Sequence, residues 1–222
     1  GEGKRMKTSQ PKPLVMLGDI PFVQHSLNTI KKLKPSQVFL VTGHKKDEVK
    51  KYVLENNSGD YIFCEQKERL GTGHAVKQAA PYIPEKGKTL ILYSDVPLLT
   101  DKTAKKLIRS SARKKISILT TLLDDPKGYG RIIRSQKKDP IGIREEVDAS
   151  KEEKKIKEIF SGIMVVENEF LKKGLRGLVR NNTAGEYYLT DLVEYATKRE
   201  HKVGSHTTTP DEVLGANNKS EL

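Results

Sequence analysis

The chain has a single cysteine, Cys64, among its 222 residues, so no disulfide can form within it. That suits a reducing, cytoplasmic setting. Tryptophan is absent and aromatic residues reach only 6%, too few for the stacking platforms on which single-stranded nucleic acids are held. No apolar run is long enough to span a bilayer and no secretory leader is recognisable, so no membrane partner is expected. Internal repeats and low-complexity tracts are missing, as is any His/Cys spacing of the zinc-binding kind or a Ser-His-Asp or Cys-His pattern.

What is present is charge and clustered apolar sequence. The formal net charge is +12, but the lysines are dispersed in pairs beside helix-like segments ("TIKKLK", "DEVKKY", "TAKKLIRSSARKK"). Such spacing describes a solvated face that also attracts a polyanionic small substrate. Nucleic acid is not the expected partner. Hydrophobic residues make up 35% and gather in strand-like runs, the mark of a globular α/β chain.

"SQVFLVTG" (36–43) reads as a buried strand, "KKDEVKKYVLEN" as an amphipathic helix and "DYIFCEQ" (60–66) as a second strand. "GTGHAVKQAAPYI" is a turn followed by a helix with Pro81 near its end. "KTLILYSDVPLL" (88–99) holds an almost continuously apolar strand, as expected where both faces are covered. "TDKTAKKLIRSSARKK" is a helix with Thr100 or Asp101 as N-cap, and "ISILTTLL" (116–123) a further strand. The alternation predicts a Rossmann-like, mostly parallel, doubly wound sheet. Beyond it, "GYGRIIRS" and "KEIFSGIMVV" read as strands, and "FLKKGLRGLV" and "EYYLTDLVEYATKR" as helices. The stretch 136–155 reads as a polar connection.

Asp95 ends the most apolar strand, at the end where open α/β sheets bind ligands. It can hold a divalent cation or merely cap a turn. Three glycine turns, "GEGKRM", "LGTGHA" and "GYGR", can point backbone amides at a ligand. None of them completes a Walker A loop or a GxGxxG fingerprint. His74 reads as a surface or capping histidine and Cys64 as core.

Together, "GEGKRM", "PKPL", "EQKERLGTGHAV", "YSDVPLLT", "DDPKGYGRIIR", "VDAS", "GEYYLTDLV" and "GANN" resemble the bacterial N-acetylglucosamine-1-phosphate uridylyltransferase family. That family is the pyrophosphorylase half of a bifunctional enzyme within the sugar nucleotidyltransferases. The resemblance implies one nucleotidyltransferase domain over 1–222, with a nucleotide part to about 125 and a sugar part from about 126. It also implies a strand ahead of Gly1. The family's bifunctional members continue into a hexapeptide-repeat acetyltransferase domain; no such repeat is present here, so neither that domain nor a trimer built on it is expected. The substrates it implies are UTP and a sugar 1-phosphate, and the cofactor Mg²⁺.

Residue by residue, Gly1 and Gly3 match the loop around the triphosphate, with Arg5 and Lys12 as its catalytic cations. Gln66, Gly71 and Thr72 match the uracil readers, and Tyr93 and Ser94 the turn at the nucleotide. Asp95 and Asn217 match the two metal ligands. Gly130, Glu145, Phe160, Tyr188 and Thr190 match positions that hold the sugar phosphate. The sequence departs from the family at Lys4 (usually Thr), Ser94 (Gly), Val147 (Lys), Phe160 (Asn) and Thr183-Ala184 (Ala-Gln). Phe160 and Val147 motivate an alternative, the same chemistry on a different sugar 1-phosphate. A catalytically weak UTP- or UDP-sugar-binding homologue is the non-enzymatic one.

Overall fold

The computed structural model describes residues 10–213 of the chain. After a short 3₁₀ turn at Lys12–Leu14 come a minimal hairpin, β1 (Met16–Leu17) and β2 (Ile20–Pro21), and helix α1 (Phe22–Leu33). The first half continues as β3 (Val38–Thr42), α2 (Lys46–Asn56), β4 (Tyr61–Glu65), α3 (Thr72–Ala79), β5 (Lys88–Ile91), α4 (Asp101–Ser110) and β6 (Ile116–Leu122). The second half adds β7 (Arg131–Arg134), β8 (Pro140–Arg144), β9 (Glu158–Glu167), α5 (Asn168–Gly177), α6 (Asp191–Thr197) and β10 (Val203–Thr207).

The strand-helix alternation expected from the sequence is there. β3 and β4 pair in parallel, as do β6 and β10. The long β9 runs antiparallel between β6 on one side and β5 and β7 on the other. β5, β6, β7 and β10 therefore share one direction, and β9 and β8 run against them. Helices cover both faces, which is what a doubly wound sheet requires.

The packing explains why Ile163–Val166 of β9 is apolar at every position. Met164 and Val166 enter one core with Leu171 and Leu175 of α5 and Leu192, Val193 and Ala196 of α6. Ile163 and Val165 enter the opposite core with Ala104 and Leu107 of α4. The pleat alternates side chains between faces, and both faces here are dry. β3 and β4 are sandwiched in the same way. Phe39, Ile62 and Cys64 face the first core, while Val38, Leu40, Tyr61 and Phe63 face Val23, Leu27, Val49 and Val53 of α1 and α2. Cys64 is a core residue, as expected.

α4 starts where its sequence says it should. Thr100 is extended, and its side chain accepts a hydrogen bond from the Thr103 amide at 3.2 Å, satisfying one orphan donor of the first turn.

Three expectations need correction. The connection 136–155 is not one polar loop, because Pro140–Arg144 form β8 against β7. Pro140 sits at the first position of that strand, where a missing N–H costs least. The helix expected over "EYYLTDLVEYATKR" begins only at Asp191, since the backbone ahead of it is hydrogen-bonded elsewhere. The apolar strand expected over 88–99 ends at Ile91, so Asp95 lies in the turn beyond it, where the Val96 amide bonds back to the Tyr93 carbonyl at 3.3 Å.

Candidate active site

The residues singled out in the sequence fall into a connected series of contacts over the carboxyl ends of these strands. At one end Lys12, in the 3₁₀ turn, places its ammonium nitrogen 2.8 Å from Asp95 Oδ2. Ser94, partly exposed, sits between Asp95 and Tyr93 in the same turn. Tyr93 keeps part of its surface exposed, but its hydroxyl end is enclosed and hydrogen-bonds Thr72. Burial, reinforced by the Glu145 and Asp95 carboxylates, pushes its acidity well down, so the phenol stays protonated. Gly162 makes room for that ring. Its φ is +84°, and a Cβ there would lie 2.6 Å from Tyr93 Cδ2.

Thr72 opens α3, and its Oγ1 accepts from the Leu189 amide at 3.1 Å. The loop before it is stitched to the segment ahead of α6. Tyr187 N–H donates to the Leu70 carbonyl and Gly73 N–H to the Tyr187 carbonyl, each at 2.8 Å. Only glycine fits such proximity. A Cβ at Gly71 (φ +99°) would meet the Tyr187 carbonyl oxygen at 2.7 Å. This ladder keeps residues 187–190 out of the helix.

Next to Leu189, Thr190 Oγ1 donates to Glu145 Oε1 at 2.8 Å. Burial pushes the Glu145 carboxyl up, a shift the Thr190 bond partly offsets. Gly130 backs onto the same carboxylate, at 3.4 Å from where its Cβ would be. The Gly130 carbonyl in turn accepts from the Phe160 amide at 2.8 Å. Tyr188 has its acidity lowered by burial and by the neighbouring Asp148 carboxylate. Asp191 completes this acidic wall. Burial first, then the Glu194 and Glu145 charges, push its carboxyl up to about 6.

The structure thus brings together Lys12, Tyr93, Ser94 and Asp95 on one side, Gln66, Gly71 and Thr72 in the middle, and Gly130, Glu145, Tyr188 and Thr190 on the other. Phe160 joins them through its backbone, while its ring lies in the apolar core at 5% exposure. Gly1, Gly3, Arg5 and Asn217 lie outside the described residues. The turn at "GYGR" is partly committed to structure. Gly128 N–H donates to Glu146 Oε2 at 3.1 Å, and Arg131, 2% exposed, pairs with that carboxylate at 2.6 Å.

Among the described residues no group of three or more His, Cys, Asp or Glu side chains is placed to hold a metal ion. Asp95 offers a hard anionic oxygen, and the ammonium beside it marks the spot as one that accepts a cation. A single carboxylate suits a Mg²⁺ ion that takes most of its shell from phosphates and water.

His74 corrects the sequence reading. It is not a plain surface histidine. Its ring is partly buried between the amides of Gln66 and Gln78 and stacks on Tyr187. Nothing in the local sequence could reveal this, because Tyr187 comes from the far half of the chain.

Sheet order, helices on both faces and a site above the strand ends define a nucleotidyltransferase-type α/β domain. Residues 1–161 match the MobA-like NTP transferase domain, and the chain belongs to that family. Over its whole length it is 40% identical to the bifunctional protein GlmU of Idiomarina loihiensis and 43% identical to that of Burkholderia orbicola. It spans about half of each of these relatives, 48% and 49%. The fold matches the inositol-1-phosphate CTP transferase of T. maritima with a TM-score of 0.77 at 16% identity, over 100% of this chain and 88% of that one. Among the described residues no helix is long and apolar enough to cross a membrane.

Proposed function

We propose that the chain is a cytoplasmic uridylyltransferase that forms UDP-N-acetylglucosamine and pyrophosphate from UTP and N-acetylglucosamine 1-phosphate, a step of cell-wall biosynthesis. The observation that carries this reading is the 40% identity to a bifunctional GlmU across the whole chain. It works as one nucleotidyltransferase unit, with the nucleotide side up to about residue 125 and the sugar side beyond.

A phosphate oxygen of the sugar 1-phosphate attacks the α-phosphorus of UTP in line, and pyrophosphate leaves. Both partners already carry negative charge, so the protein has mainly to position them and offset that charge. Gln66 and the Gly71–Thr72 backbone take the uracil edge, and Tyr93 and Ser94 border the nucleotide. Gly130, Glu145, Tyr188 and Thr190 hold the sugar phosphate above Phe160. Arg5 and Lys12 face the triphosphate, whose loop includes Gly1 and Gly3. Asp95 and Asn217 would hold Mg²⁺, which supplies charge neutralisation at the transferring phosphoryl group.

The test is pyrophosphate release with Mg²⁺ and UTP against a panel of sugar 1-phosphates, with Asp95→Asn as control. Turnover led by N-acetylglucosamine 1-phosphate is the expected result. Turnover only with another sugar would replace the substrate, and UTP binding without turnover would leave a binding protein.

A further inference from the structure

We propose that His74 is a positioning residue that, as a second anchor beside the Gly71 carbonyl, holds the Gln66 amide in one orientation, and that this strengthens the preference for a uracil ring over a cytosine ring. The proposal rests on Gln66 reading the base, as above. Gln66 Nε2 donates to the Gly71 carbonyl at 3.1 Å and contacts His74 Nδ1 at 3.2 Å. A carbonyl oxygen can only accept, so the amide nitrogen has to face Gly71. Its second N–H then points at the imidazole, and Nδ1 must be the ring's acceptor. With both N–H groups engaged, Oε1 is presented as an acceptor, and it has no partner among the described residues.

That orientation has a chemical consequence. Uracil carries an N–H at ring position 3, whereas cytosine has a lone pair there. An acceptor facing that position attracts the first base and repels the second. A glutamine whose amide could turn over would serve either base about equally. A site built to pair one hydrogen-bonding sense discriminates strongly against the other.

The ring is itself held in place. It lies on Tyr187, with centroids 6.2 Å apart and planes 24° apart, and Tyr187 is latched to both sides of the 70–73 loop. With Nδ1 as acceptor, the imidazole proton sits on Nε2, 3.2 Å from Gln78 Nε2. The Gln78 side chain also donates to the His74 carbonyl at 3.0 Å. Along an α-helix that carbonyl already accepts the backbone N–H four residues on. Turned over in place, the Gln78 oxygen would meet that carbonyl at 3.0 Å, so Gln78 has to swing off the ring, which leaves the carbonyl with its helical N–H partner.

The experiment measures UTP and CTP dissociation constants for the full chain, His74→Ala and His74→Asn by calorimetry, together with ¹⁵N spectra of the imidazole at pH 8. His74→Ala is expected to lower the UTP preference about tenfold, the scale of one hydrogen bond. His74→Asn, whose Oδ1 can stand in for Nδ1, is expected to restore it to within about threefold of wild type. The spectra should show Nδ1 bare and Nε2 protonated. An unchanged UTP-to-CTP ratio in His74→Ala, an equal loss in both variants, or a protonated Nδ1 would each overturn the proposal. A wild type that does not distinguish the two nucleotides would sink the base-reading role of Gln66 itself, even with the expected imidazole spectrum.

Discussion

The Lys12 ammonium sits 2.8 Å from the Asp95 carboxylate, and both side chains are mostly buried, at 17% and 28% exposure. The pair joins residues far apart in the chain for which the family resemblance implies a metal ligand and a phosphate-facing lysine. Both roles cannot be exercised through this bond. A metal at Asp95 and an ammonium at Asp95 compete for the same anionic oxygens, and a triphosphate would offer Lys12 a new partner.

Lys12→Met should therefore separate two readouts. Mn²⁺ affinity at Asp95, followed by its EPR signal, is expected to rise severalfold once the competing ammonium is gone. Pyrophosphate release should fall by about a hundredfold or more, the usual scale for a charge aimed at a transferring phosphoryl group. A fall in both would mean that Lys12 supports the metal site and does not compete with it.

Gly71→Ala tests the latch between the 70–73 loop and Tyr187. The new methyl would fall 2.7 Å from the Tyr187 carbonyl oxygen, at a φ of +99° that L-residues seldom adopt. Strain of that kind costs about 1–3 kcal/mol, and the overlap adds to it. Chemical denaturation should show a loss of about 3 kcal/mol, with the KM for UTP raised more than kcat is lowered. A variant as stable as wild type would mean that the ladder is not held tightly.

Much of this architecture was legible in the sequence because local rules and tertiary demands agree there. The apolar run of β9, the Thr100 cap of α4 and the β3–α2–β4 alternation each follow from a single period or capping residue. Two elements were illegible for physical reasons. β8 is a strand of Pro140, Ile141, Gly142, Ile143 and Arg144, whose Pro and Gly signal a loop until the pairing with β7 is known. Residues 187–190 carry helix-compatible sequence, yet the Tyr187 and Leu189 amides are taken by Leu70 and Thr72 from the other half of the chain. The candidate site followed the same division. Glycine turns and an Asp shortly beyond an apolar strand stand out in the sequence, whereas the surroundings of His74 come from neighbours that no local pattern reveals.

Phe160 is the departure from the family that can be weighed by stability. Its ring is buried in the same core cluster as Ile132 and Ile143. Phe160→Asn removes that apolar volume and encloses an amide without an assured partner. The expected loss is about 3–5 kcal/mol, read as a shifted denaturant midpoint at unchanged m. Phe160→Leu should lose about 1 kcal/mol. A stable Phe160→Asn variant would show that this position opens to solvent and can accept a polar contact.

Asp191 supplies a pH signature with a definite sign. Its folded carboxyl is pushed up to about 6 from an ordinary 3.8, by burial and by Glu194 and Glu145, with Arg144 opposing. Between about pH 4 and 6 the folded chain therefore holds more of this proton than the unfolded chain does. The site's contribution to stability then declines as pH rises through that window, and the full penalty is present above it. Asp191→Asn removes the penalty. Because the side chain is partly exposed, screening trims the gain to about 1 kcal/mol at pH 7.5, or about 3 °C in Tm for a domain of this size. At pH 4 the variant and wild type should melt together. Melting curves at the two pH values decide the matter, since an equal shift at both would trace the effect to packing and remove Asp191 from the titrating wall beside Glu145.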